Sequence, residues 1–184
     1  MQRRWYRTPR VTTVSVVARS AAARRGLLQL GPLQFPCALG RSGSRVRKGE
    51  GDGASPIGRW PVLGVLFRSD RVCRPRTALP ARPMRPEDGW CDAPGDRNYN
   101  RPVRHPYPAS AERLWREDEL YDVVVVLGHN QRPRIRAGGS AIFMHVARPG
   151  YLPTEGCIAL ARRHLLIVLE RLKPGSAVRV LRSR

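Results

Sequence analysis

The sequence predicts a β-rich α+β domain with two short helices and long loops. First, β-branched and apolar runs recur along the chain as short segments separated by Gly, Pro and other turn residues. Second, only two segments, beginning near Ala111 and near Ala161, space their apolar residues as a helix does. Third, 184 residues suit one domain that is large enough to bury a core.

Five runs are predicted strands: residues 11–17 (VTTVSVV), 60–67, 123–127 (VVVVL), 140–147 and 177–181. Short strands and turns are also expected over residues 26–43, where Gly and Pro interrupt apolar residues. VVVVL is apolar throughout, which is typical of a central strand buried on both faces. Glycines punctuate a loop from Gly49 to Gly58, just before the second predicted strand.

Two helices are predicted. Ser110 is a suitable N-cap for a helix from Ala111 to about Leu120. The second runs from about Ala161 to Leu172 and is expected to stop before a Pro-Gly pair. Prolines recur from residue 70 to residue 108, which indicates mostly irregular chain. Because Met84, Trp90 and Tyr99 are interleaved with them, we expect a long loop packed on the domain rather than a free linker.

The charge of the chain is large and unevenly placed. The formal net charge is +20, and residues 1–49 contain 11 basic and no acidic residues. We interpret residues 1–10 as a basic N-terminal extension and residues 11–184 as a single domain. A basic field attracts polyanions such as nucleic acid or an anionic envelope surface. Arginine can equally serve as a general solubilising cation. No zinc-finger, RNP or helix-turn-helix signature accompanies the charge, so nucleic-acid binding is not favoured as the main function.

No stretch has about 18 uninterrupted apolar residues, so we expect no transmembrane helix. The apolar run near the N-terminus is short and followed by arginines, which does not fit an ordinary signal peptide. The four cysteines are far apart and form no C-x-x-C pair, so no metal site is expected. Cys73 and Cys91 could form a disulfide in an oxidising compartment.

One segment, HVARPGYLPTEGCIAL from His145 to Leu160, contains residues suited to nucleophilic chemistry. A cysteine nucleophile needs a base, donors for an oxyanion and access to substrate. Cys157 follows Gly156, which leaves room for substrate and tolerates unusual backbone angles. A helix starting soon after Cys157 would also direct its positive end towards the sulfur. Alternatively, Cys157 is a small buried residue, as most free cysteines are.

The segment TEGCIAL, preceded by GSAIFMH, resembles the active-site segment of the YkuD-type L,D-transpeptidases. That family has a strand ending in His, a loop, and then Ser/Thr-His-Gly-Cys. RKGEGDGASPIG is similar to the family's N-terminal segment, and NYNRPV and LYDVVV match a compact, single-domain branch. The resemblance runs from about Val11 to Val180 and implies a β-sandwich with the cysteine in a cleft.

Residue by residue, the resemblance implies that Cys157 is the nucleophile and His145 its base. The Val146 carbonyl would orient the histidine, Thr154 occupies the Ser/Thr position, and the amides of Gly156 and Cys157 would bind the oxyanion. The family transfers an acyl group between peptidoglycan stem peptides to make a 3→3 cross-link, with no metal, ATP or other cofactor. Peptidoglycan stems are therefore the expected partners, carbapenem β-lactams the expected inhibitors, and the cell envelope the expected location.

The sequence departs from the family pattern in three places. Glu155 replaces the usual second histidine, which would raise the pKa of the thiol if its carboxylate lies close. Ala159 replaces a frequent arginine that contacts the donor stem. The interval from His145 to Cys157 is short, which implies a reduced lid and easier access of water. The residues considered for substrate binding are Glu155, Tyr99, Asn100, Arg101, Asn130 and Arg148.

Three functions therefore remain open. Transpeptidation is favoured, hydrolysis by the same cysteine as a carboxypeptidase or cross-link hydrolase is the alternative, and a non-catalytic polyanion-binding domain is the third. His129 and Asn130, which follow the apolar strand, suit a turn or the cleft. Glu50 and Asp52 could pair as acid and base, but nothing nearby completes such a mechanism, so a structural loop role is favoured.

Overall fold

The structure is a computed structural model that describes residues 12–182. The predicted basic extension at residues 1–10 lies outside the described residues. Within the described part, the strands are β1 Thr13–Ala18, β2 Arg25–Leu30, β3 Leu33–Ala38, β4 Ser44–Arg45, β5 Ser55–Pro56, β6 Gly58–Phe67, β7 Ala81–Pro83, β8 Asp88–Cys91, β9 Pro102–Arg104, β10 Ala111–Arg113, β11 Val123–Leu127, β12 Phe143–Val146, β13 Ile158–Leu160 and β14 Ala177–Val180. The helix α1 spans Arg162–Arg171, and short 3₁₀ helices lie at Glu119–Tyr121 and Pro149–Tyr151.

Most strands belong to one mixed sheet, in the order β11-β12-β13-β3-β2-β1-β14-β6-β7. The additional pairing of β11 with β6 closes this sheet on itself. The long strand β6 makes the closure possible, because its first half pairs with β14 and its second half with β11. Strands β10, β8 and β9 form a separate antiparallel sheet, and β4 pairs with β5. The predicted β-rich α+β class is confirmed.

The closed sheet separates two apolar clusters. Side chains alternate across a strand, so Val123, Val125 and Leu127 of β11 join the main core. The alternate residues Val124 and Val126 join an outer cluster with side chains from β8 and the segment around β10. All of β11 is therefore buried, as VVVVL predicts.

The helix predicted from Ala111 to Leu120 is wrong. Residues Ala111–Arg113 instead pair with β8, and Leu114 is fully buried in the outer cluster. The chain then makes only a 3₁₀ turn, for which Asp118 is the N-cap and accepts a hydrogen bond from the amide of Leu120. Sheet pairing and burial of Leu114 override the helical spacing, which is a weak local preference. The proline-rich region is also more ordered than expected, because it contains β7, β8 and β9.

The second predicted helix is confirmed as α1, with Leu165, Val168 and Leu169 buried. The helix does not begin directly after Cys157, because β13 intervenes, so the expected helix dipole at the thiol is absent. The cysteines are all free, and Cys73 is exposed whereas Cys91 is buried, so the considered disulfide is not formed. Within residues 12–182, no helix is both long and apolar enough to cross a membrane.

Candidate active site

Strand alternation brings His145 and Cys157 to the same side of the sheet. Strands β12 and β13 are parallel neighbours, with Met144 opposite Ile158 and His145 opposite Ala159. Met144 and Ile158 point into the main core. His145, the next residue of β12, and Cys157, the residue just before β13, therefore point to the other side. Both line a cleft of about 450 Å³.

The thiol of Cys157 is held by two backbone groups. Its S–H donates to the carbonyl of Ala141 at 3.2 Å, and the amide of Phe143 donates to the sulfur at 3.3 Å. Burial raises the pKa of Cys157 to about 12, with a further contribution from the charge of Glu112, while the Phe143 amide and Lys48 act in the opposite direction. The resting group is therefore a neutral thiol that needs a base.

The His145 ring is oriented by a backbone carbonyl. Its Nδ1 lies 2.8 Å from the carbonyl oxygen of Val146. A carbonyl only accepts, so Nδ1 carries the proton and Nε2 keeps its lone pair. Burial lowers the pKa of His145 to about 4, and the charges of Arg148 and Arg116 act in the same direction. The imidazole is therefore neutral at physiological pH.

The turn before Cys157 is fixed by Thr154. Its hydroxyl accepts from the amide of Gly156 at 3.1 Å and donates to the carbonyl of Cys157 at 2.7 Å. Gly156 has a φ of 135°, and a Cβ there would lie 2.8 Å from the carbonyl oxygen of Ala54, so only glycine fits. Because the Gly156 amide is engaged by Thr154, it does not point freely to an oxyanion in this structure.

Glu155 forms an ion pair with Arg41 at 2.7 Å, and its side chain is 76% exposed. The carboxylate whose charge raises the pKa of the Cys157 thiol is Glu112 rather than Glu155. Ala159 lines the cleft opposite His145 on the neighbouring strand and is itself buried.

The NYNRPV segment stabilises the site through hydrogen bonds but does not line the cleft. The buried Asn100 accepts hydrogen bonds from Trp90 Nε1 at 2.9 Å and from the amide of Ala141 at 3.2 Å. Its Nδ2 donates to the carbonyls of His129 and Asn130 at 3.0 and 2.9 Å. Asn100 therefore holds the loop that carries Ala141, the acceptor for the Cys157 thiol, and does not line the cleft itself.

The other residues considered for substrate binding differ in whether they line the cleft. Tyr99 is buried and donates to Glu50, which lines the cleft, whereas Arg101 lies outside the cleft lining. The Asn130 side chain stabilises its own loop, because it accepts a hydrogen bond from the amide of Ile135 and donates one to the carbonyl of Ile135. Arg148 is exposed and lines the cleft.

The loop acids Glu50 and Asp52 do not pair with each other. Asp52 accepts from Lys48 Nζ at 2.6 Å and from the amides of Gly49 and Ala54, both at 2.9 Å, which is a structural loop role. The His129 ring is also engaged, with Nε2 3.0 Å from the carbonyl of Gly138. Across residues 12–182, no group of three or more His, Cys, Asp and Glu side chains is placed to hold a metal ion.

Three cleft residues are not identified as site residues by the sequence. The Lys48 side chain is only 3% exposed, and its positive charge acts to lower the pKa of the Cys157 thiol. The ring of Tyr121 packs edge-on against His145, with 5.2 Å between centroids, and its hydroxyl donates to Glu112 at 2.6 Å. Lys48 lies in the RKGEGDG segment, whose resemblance to the family's N-terminal segment is a sequence feature that points to it. Glu112 lies in the stretch with helical spacing, and no local sequence pattern points to it.

Comparison with known proteins identifies the family of the chain. Residues 14–180 match the YkuD model, which describes the L,D-transpeptidase catalytic domain, and the chain belongs to that family. Among solved structures, the chain is similar to Mycobacterium tuberculosis L,D-transpeptidase 1, with 12% sequence identity and a TM-score of 0.39. That alignment covers 92% of this chain and 62% of the other, so the chain spans less than two thirds of that protein. No curated protein matches the chain.

Proposed function

We propose that this protein is a peptidoglycan L,D-transpeptidase in which Cys157 is the nucleophile and His145 is the base. The observation that carries the proposal is that a neutral imidazole, with its Nε2 lone pair free, lines the same cleft as the only cysteine that opens into it, among residues 12–182. Membership of a family of L,D-transpeptidase catalytic domains agrees with this reading. Its substrate would lie in the cell envelope.

In the first step, Nε2 of His145 takes the thiol proton as the Cys157 sulfur attacks the carbonyl at the L-centre of a stem tetrapeptide. The backbone amide of Cys157 is our candidate oxyanion donor, because the Gly156 amide is bonded to Thr154. The peptide bond breaks, the terminal D-amino acid leaves with the proton from His145, and the acyl group remains on sulfur as a thioester.

In the second step, the side-chain amine of another stem attacks the thioester. The C–S bond breaks, a new amide forms as a 3→3 cross-link, and the thiol is restored. No metal or ATP is required, because the energy of the broken peptide bond is kept in the thioester.

The alternative is that water, rather than an amine, receives the acyl group. The loop between β12 and β13 is short and contains a single 3₁₀ turn at Pro149–Tyr151, and Leu152 at its end is 52% exposed. A small loop covers the thioester less completely and admits water. This feature favours a carboxypeptidase or cross-link hydrolase as the second candidate.

The test is acyl-enzyme formation followed by product analysis. Intact mass after incubation with a carbapenem or a stem tetrapeptide is expected to show one adduct on the wild type and none on Cys157→Ala. Cys73→Ala is the matched control, because Cys73 is exposed and free. An adduct on Cys157→Ala would refute the proposal. Digestion of purified sacculi then separates the candidates, since dimers indicate transfer and shortened monomers alone indicate hydrolysis.

A further inference from the structure

Glu112 is a carboxylate without a cation partner beside the candidate dyad. Within residues 12–182, the buried acids elsewhere are paired, Asp88 with Arg82 at 2.8 Å and Asp122 with Arg162 at 2.6 Å. Glu112 lines the cleft and makes no ion pair with the described residues. The chain has a net charge of +20, yet the arginine whose charge acts on Glu112, Arg116, forms its ion pair with Asp118 instead.

The geometry presents one oxygen of Glu112 to the cleft. Oε1 accepts from the Tyr121 hydroxyl at 2.6 Å, and Oε2 makes no hydrogen bond to the described residues. Tyr121 in turn packs against His145. This contact fixes the carboxylate relative to the base.

The surroundings of Glu112 are also acidic. Glu50 and Asp92 line the same cleft, and their charges act with burial to raise the pKa of Glu112. Asp92 adds an independent sign of a missing partner, because its Oδ1 is buried and has no hydrogen-bond partner. Arg116 also lines the cleft, but its guanidinium pairs with Asp118 at 2.7 Å, so these three acids have no ion-pair partner among the described residues.

This carboxylate opposes the first chemical step, because its charge raises the pKa of the Cys157 thiol. A carboxylate that works against acylation is suited to a later step or to a positively charged ligand. An amine acceptor is such a ligand, since it is an ammonium in neutral water. Water, the acceptor in hydrolysis, has no such charge.

We propose that Glu112 binds the ammonium group of the acceptor peptide and takes one proton from it. This inference rests on the proposed function and identifies the part of the same cleft that binds the acceptor peptide. It makes Glu112 a determinant of whether the acyl group passes to an amine or to water.

The step balances as follows. The ammonium donates one proton to the Glu112 carboxylate and becomes a neutral amine. Its nitrogen lone pair attacks the thioester carbonyl, and the C–S bond of the acyl-enzyme breaks. A second amine proton passes through His145 to the Cys157 sulfur, which restores the thiol and leaves the new amide. Glu112 then releases its proton to solvent.

The test is a binding titration that does not depend on acylation. A stem peptide with a free side-chain amine and the same peptide with that amine acetylated are titrated into the Cys157→Ala chain by calorimetry. Adding Glu112→Gln, which preserves the size of the side chain, is expected to weaken binding of the free amine about tenfold, or about 1.4 kcal/mol. Binding of the acetylated peptide is expected to be unchanged by this substitution.

Two variants serve as controls. Glu170→Gln makes the same chemical change on the exposed end of α1 and is expected to leave both affinities unchanged. Glu112→Asp retains the charge and is expected to restore part of the affinity. Circular dichroism on each variant checks that the fold is intact.

The outcomes separate the two proposals. If Glu112→Gln weakens both peptides equally, or neither, the inference is overturned even when the wild type forms an acyl-enzyme. If the free amine alone is weakened but no acyl-enzyme forms on the wild type, Glu112 is a binding site for the ammonium group, while its proton-transfer step fails together with the proposed function.

Discussion

The Nδ1 proton of His145 is donated to the carbonyl oxygen of Val146, its own neighbour in β12, over 2.8 Å. A neutral carbonyl orients the ring but does not balance a positive charge as a carboxylate would. Buried without a counter-charge, the imidazole has its pKa lowered to about 4. His145 and Cys157 are therefore a neutral imidazole and a neutral thiol, rather than an ion pair.

The first prediction concerns the pH dependence of acylation. Because His145 stays unprotonated well below pH 6.5, the second-order rate of carbapenem acylation is expected to be level from about pH 8 to pH 5. It should fall to half near pH 4, the pKa of His145. Stopped-flow measurement of adduct formation gives this profile.

A histidine with an ordinary pKa would produce the half-point near pH 6.5 instead, which would contradict the buried neutral base. His164→Gln is the control, since His164 stacks on Phe35 away from the cleft. Its profile is expected to match that of the wild type.

The second prediction concerns stability at low pH. The unfolded chain binds a proton on this histidine near pH 6.5, whereas the folded chain binds it only near pH 4. The free energy of unfolding is therefore expected to fall as the pH drops through this interval, by up to about 3 kcal/mol from His145. Urea denaturation at pH 7.5 and pH 4.5 measures the difference.

His145→Gln removes the titrating group, so the pH dependence of its stability should be shallower than that of the wild type, whatever its stability at pH 7.5. An equal slope in both proteins would show that His145 is not buried as a neutral group.

The third prediction compares Glu112 and Glu155, the two acids considered for an effect on Cys157. Glu155 is paired with Arg41 and exposed, whereas Glu112 contributes to the raised pKa of Cys157. Glu112→Gln is expected to lower the thiol pKa and speed iodoacetamide labelling at fixed pH by up to about tenfold. Glu155→Gln should change the labelling rate less than Glu112→Gln does. It should change the free energy of unfolding by less than about 1 kcal/mol. A larger effect of Glu155→Gln on labelling would reverse this assignment.

Periodicity predicted several of the long strands but none of the short strands β7 to β10. VVVVL predicts a strand buried on both faces, and residues 140–147 predict the strand that ends near His145. The segment after Ser110 shows the limit, because pairing with β8 is a long-range contact that leaves no local mark. For the same reason the sequence does not reveal Glu112, whose place in the cleft depends on that pairing.

The fourth prediction concerns Asn100, a support of the site rather than a part of its surface. Its side chain accepts from Trp90 and Ala141 and donates to two carbonyls of the β11–β12 loop, and its φ of 55° suits asparagine better than alanine. Asn100→Ala leaves these buried groups unpaired, so we expect a loss of about 3 kcal/mol in urea denaturation. Acylation should also slow, because Ala141 holds the Cys157 thiol. Asn98→Ala removes a single side-chain hydrogen bond on a half-buried loop and should reduce the free energy of unfolding by less than half as much. Equal reductions would show that Asn100 does not support the site.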